Sequence, residues 1–86
     1  MNKLKDVIKL TNRERAFCEY AQSGWIARDS DNCICLYNEK PYKEDYEWKS
    51  DNNYETYRII EKLFQFIKWE DKEPYSVEEM LTWEVM

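Results

Sequence analysis

In the stretch WIARDSDNCICLYN, Trp25–Asn38, apolar and polar residues follow a period of two. WIARD and CICLYN flank the tetrapeptide DSDN, whose Asp and Asn residues accept turn geometry, and Asn32 tolerates positive φ at low cost. The spacing predicts a β-hairpin. Side chains alternate across a strand, so Cys33, Cys35 and Tyr37 are expected on one face and Ile34 and Leu36 on the other.

Toward the N-terminus the period becomes helical. Leu4, Val7, Ile8 and Leu10 outline a short apolar face, and TNRE at Thr11–Glu14 matches a capping box. A second helix is expected from there, with Ala16, Phe17, Tyr20 and Ala21 inward and Gly24 at its left-handed C-cap. LTNRERAFCEYAQSG also resembles the first helix of helix-turn-helix proteins, but the hairpin pattern that follows leaves no recognition helix.

Toward the C-terminus Pro41 ends the strand, because it has no N–H for a ladder. A short third strand is expected near Trp48 and a loop at Asp51 to Asn53. The spacing of Tyr57, Ile60, Leu63, Phe64 and Ile67 predicts a helix, while Ile59, Phe66 and Trp69 leave a strand open at the end of that run. Ser76 with Glu79 opens a short last helix carrying Met80, Leu81 and Trp83. The expected fold class is α+β: an N-terminal helical segment, a small antiparallel β-sheet of hairpin plus third strand, and one or two further helices. It is read as one small domain over residues 1–86, with a helical leader at 1–23 and a hairpin-containing core at 24–86.

Composition narrows the function. Apolar residues make up 43% and aromatics 16%, enough bulk for a packed core despite 36% charged residues. There is one Gly and no His, which argues against glycine-rich phosphate loops and leaves no nucleophile–base pair to assign, so the chain reads as no enzyme. Apolar runs are far shorter than the roughly 20 residues that span a bilayer, and the charged opening MNKLKDVIKL has no signal-peptide core; a cytoplasmic location is the default. Residues 1–28 carry net charge +3 and residues 29–86 carry −8. Such a surface repels phosphates and suits a basic partner, including a protein that itself holds nucleic acid; neither direct nucleic-acid binding nor a membrane partner is expected.

Three groups of residues could carry chemistry. Cys18, Cys33 and Cys35 could supply three thiolates of a tetrahedral zinc site if the helix packs on the cysteine face; core filling is the alternative, and redox chemistry a third. Glu70, Asp71 and Glu73 in KWEDKEP form an acidic cluster, read as solvated surface that a partner could contact. Trp25, Trp48, Trp69 and Trp83 are expected mainly in the core.

GWIARDSDNCICLYNEKPYKEDYEW and LFQFIKWEDKEPYSVEEM together resemble a group of small uncharacterised proteins of bacteriophages and prophages of Gram-positive bacteria. The likeness spans about residues 24 to 79. It rests on Ile26 to Asp29 and Asp31 of the hairpin and on Tyr37, Lys40 and Pro41 of a Y-x-x-KP strand end. Trp48, Leu63, Phe64, Ile67 to Asp71, Glu73, Pro74, Val77 and Glu78 complete it. The group tends to have Gly at Asn32, and polar or aromatic residues at Cys33 and Cys35, so the cysteines are a feature of this chain. The resemblance implies phage origin and a compact domain, and nothing catalytic.

By analogy, small acidic phage proteins include anti-CRISPR inhibitors of type II effector nucleases. The expected function is thus a counter-defence inhibitor that binds a host nuclease and blocks nucleic-acid loading or activation, with Tyr42, Tyr46, Trp48, Glu70, Asp71 and Glu73 as partner-binding residues. The alternatives are a binder that sequesters a nucleotide signal through Trp and Arg28 or Lys40, and a replication or packaging accessory module.

Overall fold

In the computed structural model the structure describes residues 8–51 and 56–86. The helix α1 spans Asn12–Ala21 and opens on the expected capping box: the Thr11 N–H donates to Glu14 Oε1 at 2.9 Å and the Glu14 N–H donates to Thr11 Oγ1 at 3.2 Å. It closes at Gln22, at φ 69° and ψ −35°, so the positive-φ cap falls on Gln22 and not on Gly24. Its inward residues also differ from the expectation. Glu14 and Cys18 are buried, Phe17 and Ala21 pack against the core, and Tyr20 is 88% exposed. The i, i+3, i+4, i+7 stripe therefore starts at the capping glutamate.

The hairpin forms as read. β1 (Trp25–Arg28) pairs antiparallel with β2 (Ile34–Tyr37) in the register Trp25↔Tyr37 through Arg28↔Ile34. The turn places Asn32 at φ 78°, and the Asp31 carboxylate accepts from the Cys33 N–H. Beyond it, β3 (Tyr42–Glu44) and β4 (Glu47–Lys49) form a second hairpin, and β5 (Thr56–Ile59) and β6 (Tyr75–Ser76) flank the first, giving a four-stranded sheet in the order β5-β2-β1-β6. The short helix α2 (Val77–Met80) follows β6, with the Ser76 hydroxyl accepting from the Glu79 N–H.

The two faces of this sheet bury different sets. Ile26, Ile34 and Ile59 join Leu10, Cys18, Phe64, Ile67, Val77, Met80 and Trp83 in the main core under α1. Ala27 and Tyr37 face Trp48 of the second hairpin, with Trp25, Cys35 and Trp69 alongside. The strand expected near Trp48 thus forms its own two-stranded layer on the sheet's second face.

The helical expectation for the run from Tyr57 fails. The run from Tyr57 begins as β5, which pairs with β2 from Ile34↔Ile59 to Tyr37↔Thr56. It continues as a chain of tight turns, in which the N–H groups of Leu63, Ile67 and Asp71 donate to the carbonyls of Ile60, Phe64 and Lys68. Phe64 sits there at φ 56°, its N–H donating to the Glu14 carboxylate and its carbonyl accepting from Arg28 at 3.0 Å. Leu4 and Val7 of the expected first helix, and Asn52 and Asn53 of the expected loop, lie outside the described residues. Leu10 is not helical: it makes a parallel bridge to Val85. Among the described residues no helix is long and apolar enough to cross a membrane.

Candidate functional site

The second hairpin is held to the first at several points and leaves its turn exposed. In YKEDYEWK, Tyr42–Lys49, strand alternation turns Lys43 and Trp48 toward the sheet and Tyr42, Glu44, Glu47 and Lys49 outward, around a two-residue turn with Asp45 at φ 56°. Trp48 is the anchor. Its backbone N–H donates to Asp29 Oδ1 at 2.8 Å, its indole Nε1 donates to the Arg28 carbonyl at 3.1 Å, and its own carbonyl accepts from the Tyr37 hydroxyl at 3.3 Å. The Tyr46 carbonyl accepts from both the backbone N–H and the hydroxyl of Ser30. Lys43 Nζ lies 4.2 Å from the Trp69 ring centroid and 5.3 Å from that of Trp48.

Anchored this way, the hairpin displays Tyr46 at 78% exposure and Tyr42 at 46%. Glu44 and Glu47 stand opposite each other across the strands, a repulsive placement relieved by Lys49 Nζ at 3.0 Å and 3.9 Å. The same two carboxylates raise the lysine's pKa, Glu44 first. Tyr46, Glu44, Asp45 and Glu47 therefore make a rigid aromatic tip ringed by acids.

Of the six residues expected to bind a partner, Tyr42, Tyr46 and Glu70 are exposed as required. Trp48 is not: at 5% exposure it is the packing residue under the hairpin. Asp71 accepts from the Lys68 N–H at 2.9 Å and from the Tyr75 hydroxyl at 3.1 Å, so its carboxylate closes a turn. Glu73 is exposed and paired with Lys40 at 3.2 Å. The acids missed by sequence reasoning, Glu44, Asp45 and Glu47, were marked by the alternation on either side of Asp45–Tyr46, which reads as a hairpin once Lys43 and Trp48 are taken as the inward pair.

Cys18, Cys33 and Cys35 do not gather. The helix packs on the Ile34 and Leu36 face, which puts Cys18 in the main core, while Cys35 belongs to the layer on the other face. Cys33 lies at the hairpin turn with Arg58 Nη2 at 2.7 Å from its sulfur. The zinc expectation required the helix on the cysteine face, and among the described residues no group of three His, Cys, Asp or Glu could hold a metal. Burial pushes the Cys18 thiol up to about 11 and raises Cys35 as well; Cys33 is raised by desolvation and by the Asp31 carboxylate. A raised thiol pKa leaves less thiolate, the nucleophilic form, although Arg58 opposes the shift at Cys33 and Cys35.

Arg28 is unavailable to a ligand. Its guanidinium donates to the carbonyls of Ile67 at 2.7 Å, Leu63 at 3.1 Å, Phe64 at 3.0 Å and Glu61 at 3.3 Å, and to the Asn32 carbonyl and side chain at 3.1 and 3.2 Å. No protein-family model matches the chain, and neither a curated protein nor a solved structure is significantly similar to it.

Proposed function

We propose that the protein is a non-catalytic binding module that inhibits a basic, nucleic-acid-handling partner through the tip of its second hairpin. The observation that carries this reading is Tyr46, 78% exposed at a turn whose backbone is tied to Ser30 and whose strand is anchored by Trp48. Aromatic anchors on rigid supports lose little conformational entropy on binding, which is how few residues come to dominate an interface. Glu44, Asp45 and Glu47 around it, on a chain of net charge −5, steer the tip toward a basic surface.

The resemblance of residues 24 to 79 to phage and prophage proteins supports a specific target: the type II CRISPR effector of the infected bacterium, blocked in nucleic-acid loading or activation in the host cytoplasm. Such an effector holds its guide–target duplex in a positively charged channel, into which an acidic tip fits. The nucleotide-sequestering alternative loses its arginine, since Arg28 is spent on backbone carbonyls.

The test is co-purification of the full chain with a type II effector, followed by a DNA-cleavage assay. The parent chain should bind and inhibit, and Tyr46→Ala with Asp45→Lys should weaken inhibition by about thirtyfold or more, the effect of losing one interface anchor of about 2 kcal/mol. A tip variant that inhibits at full strength removes the hairpin from the interface. A parent chain that neither binds nor inhibits the effector overturns the choice of target.

A further inference from the structure

Two sequence motifs about thirty residues apart, Lys40–Pro41 at the end of the first hairpin and Lys72–Pro74 in KWEDKEP, meet in the fold. With Tyr42, Lys43 and Trp48 they line a cleft of about 360 Å³. Its charge is opposite to that of the chain. Three lysines, Lys40, Lys43 and Lys72, line it together with one acid, Glu73, in a protein of net charge −5.

Like charges gathered on one cleft repel, and a chain with more acids than bases has carboxylates to spare for pairing them. Among the described residues one is supplied, Glu73 to Lys40 at 3.2 Å. Two of the ammonium groups are also held in position. Lys40 Nζ sits 5.5 Å from the Trp25 ring centroid, and Lys43 Nζ sits over Trp69 and Trp48 while donating to the Trp69 carbonyl. An ammonium carries three N–H donors, so Lys43 has two left for a ligand. The rings fix the cations that a flexible surface lysine would leave to swing in solvent, which lowers the entropy lost on binding.

We propose that this cleft binds a small anion bearing a diphosphate group, with Lys40, Lys43 and Lys72 donating to its oxygens and the Glu73 carboxylate giving way to it. Lysines serve phosphate as point charges, and a diphosphate carries several negative oxygens for more than one of them to share. Tyr42, on the rim and 46% exposed, offers a ring face that a nucleoside attached to the diphosphate would cover. The site is separate from the hairpin tip and does not depend on the inhibitor reading.

Isothermal titration calorimetry of the full chain with inorganic pyrophosphate, ADP and adenosine, at low ionic strength, tests it. Pyrophosphate and ADP should both bind saturably and adenosine should not; tighter binding of ADP assigns the site to a nucleotide, and equal binding assigns it to the free diphosphate. Lys40→Ala and Lys72→Ala should each weaken binding about tenfold. Glu73→Gln, which removes the internal competitor at a side chain that is 74% exposed, should strengthen it. That opposite sign separates a site from general damage. Absence of saturable binding by both phosphates, parent-like binding by the lysine variants, weaker binding by Glu73→Gln, or adenosine binding as well as ADP would each overturn the proposal.

Discussion

Gly24 has φ +110°, and a Cβ built there would lie 2.8 Å from the Tyr37 carbonyl oxygen and 3.1 Å from Leu36 Cδ1. Its place after α1 suggests a cap, but its need is the close approach of β2 at the entry to β1. Gly24→Ala should therefore lower stability by about 2 kcal/mol, from backbone strain and the contact with an immobile carbonyl, seen as a lower urea midpoint. An unchanged midpoint would contradict that account. Arg28 is the second residue whose role is set by backbone: its planar fork serves carbonyls along the 61–67 turns that a helix would have satisfied internally. Lysine cannot reproduce the fork. Arg28→Lys should cost about 3 kcal/mol or more and expose amides of residues 61–67 to hydrogen exchange before those of β1 and β2.

Among elements, one of the bonds that tie the second hairpin to the first is made by a carboxylate. Asp29 Oδ1 accepts from the Trp48 N–H, and burial raises the Asp29 pKa above its ordinary value, partly opposed by that bond and reinforced by Asp31 and Glu47. A raised carboxyl favours the protonated form in the fold. Its contribution is thus fully present below the ordinary aspartate value of 3.8 and is lost as pH rises through the raised value. Asp29→Asn keeps an oxygen for the Trp48 N–H and removes the half-buried charge. It should melt higher than the parent at neutral pH, with the difference shrinking toward zero in acid. A variant that melts lower at neutral pH would mean that the ionised Asp29–Trp48 bond outweighs the burial cost.

At the scale of the whole molecule, the sheet is a partition. Cys18 lies wholly buried on the helix side, whereas Cys35 lies in the layer beneath the second hairpin. Alkylation of the native protein at neutral pH should modify Cys33 first, Cys35 more slowly, and Cys18 only on unfolding, as its thiol is both enclosed and pushed up to about 11. Peptide mass spectrometry over a time course reads the order. Joint protection of all three thiols by added zinc would contradict the partition.

Where the chemistry is local, the sequence was enough. The capping box at Thr11–Glu14, the turn at Asp29–Asn32 and the Ser76 cap are decided within a few residues by side chains that bond nearby backbone, so the α+β class and the first hairpin were legible directly. The exposed site was legible only in part: Tyr42 and Tyr46 stood out as aromatics in a polar stretch, while Trp48, expected in the core with the other tryptophans and also offered as a partner contact, is buried. The rest depended on partners far along the chain. Residues 57–67 have helical spacing, yet pairing with β2, the bonds from Arg28 to carbonyls and the bond from the Phe64 N–H to the Glu14 carboxylate outweigh that weak preference. Likewise, a strand pattern says that Cys33 and Cys35 share a face but not which face the helix will cover. Packing of α1 on Ile34 and Leu36 decided that, and with it the separation of the three thiols.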